Sequence, residues 1–109
     1  MTDDRAKSDP VPHRAKVLRE AERLITGDRN RSYGEPTQNF TDIATGWTVL
    51  LRSKLKDGES VDPGDTAAMM IWLKMVRRIA SDSPDNWVDA AGYAGCGSEA
   101  DLASGRIKP

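Results

Sequence analysis

Asp85 and Asp89 lie four positions apart, a short way downstream of the basic residues Lys74 and Arg77. On a helix, residues four apart share a face, so both carboxylates would project together, with Tyr93 one turn further on. Paired hard oxygens suit magnesium, which keeps several waters and takes one or two carboxylates plus substrate phosphates. Lys74 and Arg77 would then hold the phosphates, Arg through its planar fork and Lys as a point charge. Such a set could hydrolyse a phosphoanhydride, the metal activating water and neutralising charge. A purely structural reading uses the same residues. Asp85 falls in a first turn, where the helix dipole alone favours an acid. Lys74 or Arg77 pairing with Asp89 would brace two helices. Spacing leaves both readings open.

A second cluster surrounds the first chain turn. Arg29, Arg31, Tyr33 and Gly34 combine cationic donors, an aromatic face and a pliable backbone, as a nucleotide pocket needs, and Asn39 could read a base or sugar edge. The alternative is a helix connection whose Tyr33 and Phe40 pack on the core and whose Gly34 takes a positive φ. The three tryptophans, Trp47, Trp72 and Trp87, all fall on apolar faces and are expected in the core, with Trp72 a possible anchor for an oligomer. His13 sits beside prolines and carries no assigned role. Cys96 has no histidine near in sequence to activate it.

The elements that must position these residues are helices. No run alternates at period two, and apolar residues recur at helical spacing. The first helix is expected from His13 to Thr26, with Val17, Leu18, Ala21, Leu24 and Ile25 on one face and Gly27 as its stop. The second should begin near Pro36 and run to about Lys56, burying Phe40, Ile43, Ala44, Trp47, Leu51 and Leu55. Asp62-Pro63 starts the third with a capping residue and a proline at N1, and Ser83-Pro84-Asp85 repeats that device for the fourth. The expected class is all-α, a four-helix, bundle-like domain. The expected organisation is a disordered leader over residues 1–12, one helical domain over 13–103 and a disordered tail over 104–109.

On a helical wheel the third helix places Met69, Trp72, Leu73, Met75, Val76 and Ile79 around most of its circumference. Ala67, Met70, Lys74, Arg77 and Arg78 share the remaining arc. A helix this apolar belongs at the centre of a bundle or in a subunit interface, and points to a homo-oligomer. Glycines at 92, 95 and 97 suggest close approach of another backbone or a ligand, although Gly95 and Gly97 fit a fraying helix end equally well.

With 109 residues, the chain has room for one domain with a modest core. Hydrophobic residues make up 38% and charged ones 30%, and the formal charge of -1 opposes a polybasic nucleic-acid or membrane binder. One cysteine cannot form an internal disulfide, and one cysteine with one histidine cannot complete a zinc quartet. No segment approaches the roughly 20 apolar residues of a membrane span, and no signal peptide is evident. A cytoplasmic location is expected.

Together these motifs resemble a known group. Gly27-x-Arg29-x-x-x-Tyr33-Gly34 leads into Asn39-Phe40, Ile43-Ala44 and Trp47, followed by Asp65, Met69-Met70, Lys74-x-x-Arg77, Asp85, Asp89 and Gly92-Tyr93. Over roughly residues 14–97 the run resembles a family of small, mostly phage-encoded proteins of unknown function. That family is described as similar to the MazG-type all-α nucleotide pyrophosphohydrolases, helical bundles that form dimers or tetramers and bind magnesium through clustered acids. The resemblance implies cleavage of nucleoside triphosphates to monophosphate and pyrophosphate, with Asp85 and Asp89 as part of the metal cluster. It implies Lys74 and Arg77 as phosphate contacts. The enzymes' Glu-x-x-Glu pair is missing, and the nearest substitutes are Asn39 with Asp42, or Asp62 with Asp65. A rival expectation follows from that gap: a non-enzymatic phage effector that binds a host protein or sequesters a small nucleotide.

Overall fold

The computed structural model describes residues 10–27 and 35–109, which form four α-helices and no strand. These are α1 (His13–Thr26), α2 (Pro36–Leu51), α3 (Pro63–Ala80) and α4 (Asp85–Ala103), with a single 3₁₀ turn at Arg52–Lys54. The all-α expectation holds. Part of the expected leader, residues 1–9, lies outside the described residues.

The helix boundaries follow local chemistry. At α3 the Asp65 N–H donates to Asp62 Oδ1 at 2.7 Å and the Asp62 N–H donates to Asp65 Oδ2 at 3.1 Å, with Pro63 at N1. This reciprocal box satisfies backbone donors that the first turn would otherwise leave open. The start of α4 differs from the expected repeat of that device. Pro84 itself has helical backbone and caps nothing, and Ser83 Oγ accepts only a long 3.3 Å bond from the Asp85 N–H. At its other end α4 closes with a Schellman turn. The Arg106 N–H reaches Asp101 O at 2.9 Å, and the Gly105 N–H reaches Leu102 O at 3.1 Å. Gly105 supplies the φ of +81° that this turn requires.

Helix α2 stops at Leu51, short of the expected Lys56, and tightens into the 3₁₀ turn before Leu55 becomes extended. A tertiary hydrogen bond holds the returning chain: the Val61 N–H donates to Thr48 Oγ1 at 2.9 Å, while the Thr48 hydroxyl donates to Ala44 O at 2.8 Å. Sequence periodicity carries no information about that latch.

Packing centres on α4. It meets α3 most extensively and α1 next, while α2 lies mainly on α3. Small residues make the close crossings possible. A Cβ at Gly97 would come 2.7 Å from Ala67 Cβ, and one at Gly92 would come 3.2 Å from Ile25 Cγ2. Gly95 stands similarly close to Ile25, and α4 continues to Ala103, so neither Gly95 nor Gly97 is part of a fraying end. The core is thin. Phe40, Ala67 and Cys96 are buried together, with Ile25, Ile43 and Tyr93 packed against them, and among the described residues Thr66 is the largest fully buried side chain.

Several expected core residues are on the surface. Trp72 is 70% exposed and Trp87 51% exposed, and Leu18 of α1 also faces solvent. Helix α3 is turned the opposite way to a central bundle helix. Its narrow arc with Ala67, Met70 and Lys74 faces inward, and much of its broad apolar arc faces out. The small residues at Ala67 and Gly97 explain the choice, because only that side of α3 can approach α4 closely enough to pack.

Candidate functional site

Lys74 lies on the inward arc of α3 and Asp89 near the start of α4, where the two helices pack. The Lys74 ammonium is 2.9 Å from Asp89 Oδ2, and the two side chains are only 13% and 17% exposed. Partial burial weakens solvent screening and strengthens the attraction, while the loss of hydration opposes it.

The other two members of the expected set do not join them inside. Arg77 and Asp85 are exposed. Asp85 occupies the first turn of α4, where the helix dipole favours an acid in any case. Tyr93, one turn beyond Asp89, is half-buried and tilts at 50° to the Phe40 ring with centroids 6.0 Å apart, a geometry suited to aromatic edge-to-face attraction. Asn39 is half-buried beside Phe40 in sequence. Thus Lys74, Asp89 and Tyr93 cluster along the α3–α4 junction, with Phe40 of α2 against the tyrosine. Arg29 and Tyr33 lie outside the described residues.

The donor set can be tested for magnesium. Magnesium often takes one or two carboxylates and leaves its other positions to water and phosphate; the carboxylates expected for it are Asp89 and the exposed Asp85 one turn before it on α4. Asp89 Oδ2, however, already holds the Lys74 ammonium, so metal and lysine compete for the same oxygen. Among the described residues, no group of three or more His, Cys, Asp or Glu side chains is placed to hold a metal ion. A metal here would therefore depend on phosphate oxygens to complete its shell, and on Lys74 moving to another anion.

Two arrangements near the junction were not visible in the sequence. The Arg78 guanidinium lies 5.8 Å from the Trp87 ring centroid, a cation–π contact joining the end of α3 to the start of α4. The Asp101 carboxylate lies against Gly64 in the first turn of α3, where negative charge is favoured. Neither pair has a fixed sequence spacing that could have revealed it.

Among the described residues, no helix is long and apolar enough to cross a membrane. Comparison with known proteins points to phages. The chain is 41% identical over 81 residues to the Gene 55 protein of Mycobacterium phage D29, covering 73% of this chain and 50% of that protein. It is 40% identical over 80 residues to the Gene 55 protein of Mycobacterium phage L5, covering 72% and 48%. The chain thus spans about half the length of these curated relatives. No solved structure matches it. The model of a domain of unknown function, DUF6378, matches residues 16–101, the whole helical span from within α1 to near the end of α4, and the chain belongs to that family.

Proposed function

We propose that this domain is a phage helical module that binds a nucleoside phosphate at the Lys74–Asp89 centre, in the cytoplasm of the infected host, on the plan of the MazG-type pyrophosphohydrolases. The observation that carries the reading is the ion pair itself, held at 2.9 Å in mostly buried surroundings one turn from Tyr93. A pair of charges withdrawn from water adds little net stability compared with apolar side chains of the same size. Its presence in a domain with so thin a core suits a binding role. A phosphate reaching Lys74 replaces Asp89 as the ammonium's partner, and Arg77, exposed one turn on, adds a forked donor. Tyr93 and Asn39 contact the base and sugar, and Arg29 and Tyr33 are assigned to the same ligand from the sequence alone.

Asp85 and Asp89 would be the residues to hold magnesium, which would supply charge neutralisation and an activated water for cleavage of a (d)NTP to monophosphate and pyrophosphate. Thermal shift with a panel of NTPs and dNTPs, with and without magnesium, together with pyrophosphate release, tests both parts. A nucleotide-dependent shift that Lys74→Gln abolishes is expected. No shift with any nucleotide would sink the reading, and a shift without turnover would retain binding and remove hydrolysis.

The closed state of the ion pair favours a second reading, in which Lys74–Asp89 is a brace and the domain is a non-enzymatic effector. Its ligand is then a host protein or a small signalling nucleotide that it sequesters. A host protein co-purifying in stoichiometric amount, with Asp89→Asn leaving that capture unchanged, would support it. Capture lost in Asp89→Asn at unchanged stability would oppose it.

A further inference from the structure

Helix α3 presents its apolar side to solvent. Met69, Trp72, Leu73, Val76 and Ile79 are exposed by 41%, 70%, 37%, 47% and 83%, respectively. They follow one another at helical spacing of three and four residues and form a single stripe. Asp65 lies on the same face at the N-terminal end of the stripe, and the exposed Arg77 borders its C-terminal end. A face turned permanently to water would be expected to carry charge along its length.

We propose that this face is covered by a second copy of the chain, the two α3 helices pairing antiparallel about a two-fold axis between Trp72 and Leu73. The stripe matches itself in that arrangement. The two-fold operation sets Met69 against the partner subunit's Val76 and Trp72 against the partner subunit's Leu73, placing the largest side chain opposite a smaller one. Such self-matching is what an isologous interface requires.

Area and charge both support this occupant. The five side chains leave roughly 500 Å² of apolar surface in one patch, near the upper end of what monomeric proteins expose. Two such patches pressed together remove up to about 1,000 Å², the lower bound for a biological interface, before any flanking residue is counted. Arg77 makes no ion pair among the described residues. Antiparallel pairing carries it towards the partner subunit's Asp65, whereas parallel pairing would gather Arg77 and Arg78 from both chains at one end. Opposed helix dipoles favour the same orientation.

The apolar pairing does not depend on the nucleotide reading, in which Arg77 turns to phosphate instead of to the partner subunit's Asp65. Sedimentation of the full chain at high micromolar concentration is expected to give the mass of a dimer, and a monomer would overturn the proposal. Val76→Glu, at an exposed site, is expected to give a monomer whose circular dichroism remains helical. A variant that folds and stays dimeric would overturn this interface. Orientation is read with a short thiol cross-linker, to which the buried Cys96 contributes little. Leu73→Cys, close to the axis, is expected to cross-link. Ala80→Cys is expected to fail, because the two positions would lie roughly 20 Å apart along paired helices at 1.5 Å per residue. Cross-linking of Ala80→Cys as readily as Leu73→Cys would overturn the antiparallel arrangement, and these readouts stand even if Val76→Glu fails to fold.

Discussion

The Lys74–Asp89 pair is the point at which single-residue chemistry most affects this domain. Removing one partner leaves the other charge mostly buried, and such losses cost about 3 kcal/mol or more. Asp89→Leu, which strands the Lys74 ammonium, is therefore expected to lower stability by about that amount in urea titration, with Lys74→Met added to it restoring a large part. A double variant as unstable as the sum of the two single variants would show that the charges do not interact strongly. Thr48 offers a neutral comparison. Thr48→Val keeps the shape but removes the acceptor of the Val61 N–H, and about 1–2 kcal/mol of stability should be lost by the same titration. Unchanged stability would mean that another acceptor, such as water, replaces it.

Among the elements, glycines separate helix propensity from helix packing. Gly46 lies exposed within α2, and a Cβ there would meet nothing within 4 Å. Gly46→Ala should raise stability by about 1 kcal/mol, the ordinary helical preference for alanine. Gly97 lies at the crossing of α3 and α4, where a Cβ would be 2.7 Å from Ala67 Cβ. That short side chain cannot swing aside, so the helices must separate, at a cost of about 1–3 kcal/mol that opposes the propensity gain. Gly97→Val should show the packing loss clearly, whereas Gly46→Val should not. Equal melting temperatures for these two variants would contradict the close crossing. Much at this scale was readable in advance. Asp62-Pro63 announced the start of α3, and Gly27 and the apolar residues from Val17 to Ile25 bounded α1, because caps and periodicity are local. The end of α2 was not readable, since it depends on Thr48 meeting a residue thirteen positions away.

For the whole molecule, a thin core and an apolar outer face belong to the same problem. Among the described residues no side chain larger than Thr66 is completely buried, which leaves limited means to offset conformational entropy. Association through α3 would add burial that one copy cannot supply, and the melting temperature should then rise with protein concentration. A melting temperature independent of concentration across a hundredfold range would argue that the folded unit is one chain. The Gene 55 proteins of the two mycobacteriophages are about twice the matched length, so the same measurement on a full-length relative would show whether additional chain changes that dependence.

Four helices and the capping box of α3 were legible in the sequence, because those depend on neighbours within a turn or two. The sequence also showed that Lys74 shares an arc of α3 with Ala67 and Met70, opposite the large apolar residues. Which arc faces inward was fixed by how the helices pack on one another. Contact between Ala67 and Gly97 seats the narrow arc on α4, bringing Lys74 to Asp89 and leaving Arg77 and Asp85 in solvent. Hydrophobicity alone would have turned α3 the other way. Close approach is governed by the size of side chains at a crossing point, and helices remote in sequence meet there only after folding.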